Sequence, residues 1–125
     1  MKIPDTHQAI MPYLILQNAD DFLRFTANVF GARETVKHLR EDGVSVMHAE
    51  IMINGNTIML AEPTSQWKAS AVHLFIYAED VDSTYKKALA AGASSMMEPN
   101  DRGYGRTCGI TDPFGNVWWL TGSLK

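Results

Sequence analysis

At 125 residues, with 46% apolar and 20% charged residues, the chain has the size and composition of one globular domain, or of two closely packed half-domains. A formal net charge of -3, with no clustering of the basic residues, argues against nucleic acid or an anionic membrane surface as partner. One cysteine, Cys108, excludes an internal disulfide framework and a Cys-rich zinc site; a buried, inert thiol is its default reading.

The first predicted element is a strand over Ile10 to Gln17, short, apolar and rich in strand formers. A helix follows, with Asn18 or Asp20 as its N-cap, an apolar side from Phe22 to Phe30, and Gly31 where a C-terminal glycine belongs. Strands are expected over Thr35 to Leu39 and Val44 to Ile53, separated by the Glu41-Asp42-Gly43 turn. Asn54-Gly55 is the strongest short hairpin signal, and it leads into a strand over Thr57 to Ala61. Residues 62–70 read as a polar, turn-prone linker. The second half then gives a strand over Val72 to Ala78 and a helix over Val81 to Ala91, capped by Asp80 or Asp82. A short strand over Ser94 to Met97, a long polar loop over Glu98 to Gly105 and a strand over Arg106 to Thr111 come next. The Asp112-Pro113-Phe114-Gly115 turn enters the last strand, Val117 to Gly122. No segment approaches the roughly 20 apolar residues that span a bilayer, and no apolar run follows basic residues at the amino terminus, so a cytoplasmic protein is expected.

The two halves repeat. Gly55-Asn56-Thr57-Ile58-Met59-Leu60-Ala61 returns sixty positions later as Gly115-Asn116-Val117-Trp118-Trp119-Leu120-Thr121. Met11 to Leu16, with Ala19-Asp20, returns at an offset of sixty-two as His73 to Ala78, with Val81-Asp82. Two such close offsets imply a duplicated module with a small deletion in its second copy. The expected organisation is a single domain over 1–125, with module one at about 8–62, a linker at about 63–70 and module two at about 71–123. The fold class is α+β: tandem βαβββ modules forming a curved mixed sheet with a concave cavity.

Tandem modules of this kind resemble the vicinal oxygen chelate superfamily, the glyoxalase/bleomycin resistance protein/dioxygenase group, from about Ile10 to Thr121. Three stretches resemble its PhnB-like branch. They are Val29-Phe30-Gly31-Ala32, Met47-His48-Ala49-Glu50, and Asp101 to Arg106 leading into Asp112-Pro113-Phe114-Gly115-Asn116-Val117-Trp118. The resemblance implies a cavity on the concave face, helices on the convex face, and a homodimer. It also implies four metal-ligand positions, usually His or Glu, which here fall on Met11, Met59, His73 and Trp119. Of these only His73 suits a hard or borderline divalent ion, because Met is soft and Trp offers no lone pair. Catalytic metal sites need about three protein ligands, so the inherited metal site is expected to be lost, with no cofactor in its place.

Strand periodicity puts Met11, Tyr13 and Ile15 on one face, with His73, Phe75 and Tyr77 and with Trp119 on the equivalent faces of their strands. Tyr13, Phe75, Tyr77 and Trp119, beside Met11 and Met59, suit a flat, partly apolar ligand; they could equally fill the hollow themselves or pack a dimer. His73 could orient a ligand or act as a metal-free acid or base, or be a hydrogen-bonded relic of the duplication. His48 and Glu50 share a strand face and, with His73, form the alternative site for a divalent metal such as Zn, Mn or Fe; a hydrogen-bonded structural pair is the simpler reading. His7 and His38 look exposed and carry no signal. Arg102 and Arg106 flank a glycine-containing loop, either as an anion clamp at the pocket mouth or in a surface salt bridge, for example with Asp101 or Asp112. Trp67 is a lid or an interface anchor. The expected function is metal-free binding of a small flat or aromatic molecule, a drug among the candidates. The alternative is a metal-dependent lyase, transferase or dioxygenase with an atypical site.

Overall fold

The computed structural model describes residues 1–123, which form two compact units divided after Ser70. The first unit runs β1 (Tyr13–Ile15), α1 (Ala19–Phe30), β2 (Arg33–Leu39), β3 (Val46–Ile53), β4 (Asn56–Ala61). The second runs β5 (His73–Ala78), α2 (Val81–Ala90), β6 (Ser94–Arg102), β7 (Gly105–Thr111), β8 (Val117–Gly122). Each is a βαβββ module with one four-stranded mixed sheet, ordered β1-β4-β3-β2 in the first and β5-β8-β7-β6 in the second.

Registers as well as strand orders match. β1 runs parallel to β4 with Tyr13 opposite Met59, and β5 runs parallel to β8 with Phe75 opposite Trp119. On the next strand inward, Glu50 faces Met59 and Gly109 faces Trp119. The β1–β4 and β5–β8 rungs are the pairing that the two sequence offsets imply; the Glu50 and Gly109 rungs correspond through the structure, since those residues match neither offset.

One face of each sheet is taken by its helix. In the first unit α1 packs on β3, and Phe22, Phe25 and Val29 are buried together with Leu14, Ile51 and Leu60. In the second, α2 packs on β6, β7 and β8, and Cys108, Ile110, Trp118 and Leu120 are buried. The Trp118 indole N–H donates to Asp112 Oδ2 at 2.8 Å, and Asp112 Oδ1 accepts the amides of Phe114 and Asn116 at 2.9 Å. A carboxylate in the core is thus partnered on one oxygen by the turn it closes and on the other by the Trp118 indole, although burial still pushes its pKa up.

Several boundaries differ from the sequence reading. β1 has three residues rather than eight, because Pro12 has no amide to donate; its carbonyl accepts the Met59 amide at 2.9 Å. β3 starts at Val46 rather than Val44, since the Asp42 carboxylate gathers the amides of Val44 and Ser45 into a turn. The expected long loop over Glu98 to Gly105 is a correction: β6 continues to Arg102 and turns into β7 at Gly103-Tyr104, with Asp101 opposite Arg106. β6 is an edge strand, where polar residues cost little, so its sequence shows no apolar alternation. The cap of α1 is a second correction. Asn18 adopts a left-handed φ of 59° and makes no side-chain cap; Glu62, placed in the linker by the sequence, accepts the Ala19 amide at 3.2 Å and the Val46 amide at 2.6 Å. Asp80 caps α2 as expected, accepting from the Ser83 amide at 3.0 Å.

Trp118→Ala is expected to destabilise the protein by about 3–5 kcal/mol in denaturant unfolding, since it empties a core site and leaves Asp112 without its indole donor. A loss below about 1 kcal/mol would contradict this account of the second core.

Candidate functional site

The faces turned away from the helices carry the chemistry. In the second unit, His73, Phe75 and Tyr77 are exposed and Trp119 is half-buried. The Trp119 indole N–H donates to His73 Nδ1 at 3.1 Å, and the two rings stack at 19° with centroids 6.1 Å apart. Phe75 and Tyr77 meet edge-to-face at 5.3 Å. Trp119 can lie across the sheet because its neighbour on β7 is Gly109. A Cβ there would stand 2.6 Å from Trp119 Cζ3 and 2.8 Å from Cε3, closer than atoms tolerate. The sequence reading did not single out Gly109, although a glycine within an apolar strand signals a close approach.

In the first unit, Tyr13 is half-exposed and Met59 and Met11 are half-buried. Beside them Glu50, only 5% exposed, lies between two histidines. His48 Nε2 is 2.7 Å from Glu50 Oε2, and His7 Nε2 is 2.7 Å from Glu50 Oε1. The Tyr13 hydroxyl is 3.2 Å from His48 Nδ1. The expected His48–Glu50 hydrogen-bonded pair is therefore present. His7, read from sequence as carrying no signal, is the other partner of the same carboxylate. It precedes the first strand, so no strand pattern could place it; only the path of the amino-terminal segment brings it there. That path is pinned by Gln8, whose side-chain amide and carbonyl bond the Thr57 backbone at 2.8 and 3.2 Å. Burial alone would raise the Glu50 pKa, but hydrogen bonds from His48 and His7 outweigh it and hold the carboxyl below its usual range.

A half-open groove of about 650 Å³ adjoins Tyr13 and is lined also by Met47, Arg40, Glu62, Thr64 and Trp67. Trp67 is held by a tight turn in which its amide donates to Thr64 Oγ1 at 2.9 Å. Arg40 donates to the Glu62 carbonyl at 2.8 Å and makes no ion pair among the described residues.

Arg106, proposed as an anion clamp or a salt-bridge partner, donates to both oxygens of Asp82 at 2.7 and 2.9 Å and to Asp101 at 3.2 Å. Of the two partners offered as examples, Asp101 pairs with it and Asp112 lies with Trp118 instead. The Asp82 and Asp101 carboxylates raise the guanidinium pKa further. An adjacent hollow of about 520 Å³ is lined by Glu79, Asp80, Asp82 and Asp101 as well as Arg106, so its lining is net acidic. Arg102 donates to Met97 Sδ at 3.5 Å. Cys108 is buried, and burial pushes its thiol up to about 11, which keeps it protonated and inert.

The chain matches the Glyoxalase/Bleomycin resistance protein/Dioxygenase superfamily over residues 8–120 and belongs to that family. It is 30% identical to the uncharacterized protein Mb0911c of Mycobacterium bovis over 124 residues, covering 90% of this chain and 81% of that one. It is also 30% identical to Rv0887c of Mycobacterium tuberculosis, over 90% of this chain and 72% of the relative. Among solved structures it is similar to TioX from Micromonospora sp. ML1, with a TM-score of 0.76, 21% identity and coverage of 94% and 99% of the two chains. It also resembles the PhnB protein of Bacillus cereus, at TM-score 0.71, 18% identity and coverage of 93% and 100%. The fosfomycin resistance protein FosX of Listeria monocytogenes gives TM-score 0.71, 21% identity and 94% coverage of both chains. At these identities the structural likenesses establish the fold.

The family's metal positions can now be tested against the residues that hold them. Met11 and Met59 offer thioethers, Trp119 offers an N–H donor, and that donor is already spent on His73 Nδ1. This set does not fit a hard or borderline divalent cation. Among the described residues, no group of three or more His, Cys, Asp or Glu side chains is spaced to hold a metal ion.

Glu50→Gln is expected to lower stability at pH 7 by about 1–3 kcal/mol, through loss of two charge-assisted hydrogen bonds. Because the folded pKa of Glu50 is depressed, its contribution is complete above the ordinary glutamate value and disappears as pH falls through the folded value. Wild type and variant should therefore converge in acid; urea melts between pH 7 and pH 3 measure this, and a gap that stays constant would contradict it.

Proposed function

We propose that this protein is a metal-free small-molecule binder of the glyoxalase/bleomycin-resistance type. It belongs to the PhnB-like branch and acts in the cytoplasm as a homodimer. Its ligand is a flat or aromatic molecule, drugs included. The observation that carries this reading is the His73–Trp119 pair. Two family metal positions are filled by rings that stack on and hydrogen-bond each other, with Gly109 clearing the space. Such a surface recognises a planar partner by stacking rather than by coordination. Phe75 and Tyr77 extend it along the same strand face, both more than half exposed. The branch assignment is supported by the Met47-His48-Ala49-Glu50 and Asp112 to Trp118 stretches and by the likeness to the Bacillus cereus PhnB protein. A drug-binding role is supported by the family and by the fosfomycin resistance protein among the structural relatives. The homodimer is supported by the large apolar side chains left exposed on both sheets, Tyr13, Met47, Phe75, Tyr77 and Met96. A metal-dependent lyase, transferase or dioxygenase would need a donor set that these positions do not supply.

Titrating the protein with a panel of planar aromatic compounds should quench tryptophan fluorescence. Stacking is worth about 0.5–1.5 kcal/mol beyond area burial, and truncating a large contact aromatic costs about 2 kcal/mol or more. Trp119→Ala should therefore weaken binding by about tenfold to a hundredfold. Trp118→Ala, on the helix-covered face, should lose stability without a selective binding defect. A folded Trp119→Ala variant that binds normally would overturn the reading. Elemental analysis of the purified protein should find no stoichiometric Zn, Mn, Fe or Ni; close to one metal per chain, removable only by a chelator, would restore the metalloenzyme alternative.

A further inference from the structure

The first module carries polar chemistry that the binding proposal does not use. Glu50 is buried and, held below the usual carboxylate range, is ionised at neutral pH. An ionised carboxylate only accepts, so both imidazoles that touch it present N–H groups: His7 Nε2–H to Oε1 and His48 Nε2–H to Oε2. In the neutral form of His48 the proton therefore sits on Nε2. Nδ1 is then an acceptor, and the group in front of it is the Tyr13 hydroxyl at 3.2 Å. In that form the chain of bonds has one direction: Tyr13 O–H to His48 Nδ1, and His48 Nε2–H to Glu50. It begins at a half-exposed phenol beside a groove and ends on a buried carboxylate clamped from its far side by His7. A hydroxyl, an imidazole and a buried carboxylate in this order are a relay that removes a proton from the hydroxyl and stabilises the resulting imidazolium.

We propose that Tyr13, His48, Glu50 and His7 form a proton relay that makes the Tyr13 hydroxyl a general base for a planar ligand carrying a weakly acidic O–H, seated in the groove beside Trp67 and Arg40. The transfer balances without any co-reactant. The ligand's proton passes to Tyr13 Oη as Tyr13's own proton passes to His48 Nδ1. The products are a ligand oxyanion and an imidazolium facing the Glu50 carboxylate. Trp67 and Met47 give the groove a flat, adaptable apolar wall. Of the two charged residues lining the groove, the Glu62 carboxylate is taken by the Ala19 and Val46 amides, while Arg40, without an ion-pair partner among the described residues, supplies a charge of the sign the oxyanion needs. None of these four relay residues occupies a family metal position. The inference therefore goes beyond the stacking site on the second module and stands or falls separately from it.

Benzenesulfonyl fluoride reads the relay without any ligand. The phenolic oxygen attacks sulfur, the S–O bond forms, fluoride leaves and the proton goes to His48. Tyr77 and Tyr104 are internal controls, because at 58% and 63% they are more exposed than Tyr13 at 49%. Exposure alone predicts that they label first. Peptide mapping at pH 7 should instead show Tyr13 labelled at least tenfold faster than either. His48→Gln should bring Tyr13 down to the rate of Tyr104, and Glu50→Gln should slow it at least threefold, in variants whose circular dichroism matches wild type. Tyr13 labelling no faster than Tyr104 in wild type, or unchanged in both folded variants, would overturn the relay. The ligand class is read with 4-nitrophenol, whose phenolate absorbs near 400 nm. Adding protein at pH 7 should increase that absorbance in wild type but not in Tyr13→Phe or His48→Gln. A bound but neutral 4-nitrophenol, or no spectral change at all, would overturn the proposed ligand chemistry. Trp67 lines the groove, so quenching alone does not tell the two modules apart; the loss of affinity in Trp119→Ala reads the stacking proposal, and the phenolate absorbance, expected to persist in that variant, reads this one.

Discussion

A single helix covers only one face of a four-stranded sheet, and both modules are organised around the face it leaves open. The covered face is closed by ordinary apolar burial, with Phe22, Phe25 and Leu60 in one module and Trp118, Ile110 and Leu120 in the other. Among the described residues, no helix of its own module covers the other face. Every residue projecting from it must be satisfied by its neighbours on the sheet, by solvent or by a ligand. This requirement accounts for the side-chain pairings seen there. His73 accepts from Trp119, Tyr13 meets His48, and Glu50 takes two imidazoles.

Duplication makes the comparison between the two open faces informative. The rung Glu50–Met59–Tyr13 in the first module corresponds to Gly109–Trp119–Phe75 in the second. In the first, a flexible thioether leaves room for a buried carboxylate and the histidines that keep it ionised. In the second, glycine stands at the carboxylate's position, and the space beside it is taken by an indole that a Cβ would not admit. One module carries a hydrogen-bonded polar chain and the other an aromatic platform on matching strands. Neither copy supplies the oxygen and nitrogen ligands that a divalent cation asks of the family positions.

Charged residues outside the open faces serve the fold. Glu62 closes the start of α1 and the start of β3 with one carboxylate, replacing the cap that Asn18 does not provide. Asp112 joins a turn to the largest core side chain. Arg106 is bound to Asp82 and Asp101 across the β6–β7 hairpin and the start of α2, which leaves a net-acidic hollow rather than an anion clamp. Glu62 and Asp112 bond backbone amides that are close in space, and in Glu62's case far apart in sequence, which is why the role of Glu62 has no sequence signature.

The sequence by itself determined the duplicated βαβββ order and which residues share a strand face; that Trp119 rather than Trp118 faces away from the helix was implied by the family resemblance. The order and the shared faces follow from local periods, of two in strands and 3.6 in helices, and from repeated segments that any reader of the chain can align. It also determined that the family's metal positions hold Met, Met, His and Trp, since residue identity settles donor chemistry. The tertiary structure alone decided the partners. That His7 reaches Glu50, that Glu62 caps α1 and that Asp82 takes Arg106 depend on segments brought together over tens of residues, and that Gly109 makes way for Trp119 depends on the register of the β7–β8 hairpin. Hydrogen bonds and close contacts are set by distances of a few ångströms in space, and no periodicity along the chain encodes them. The length of β6 was hidden for a related reason: at a sheet edge the backbone pairs on one side only, and the side chains carry no pattern that marks the pairing.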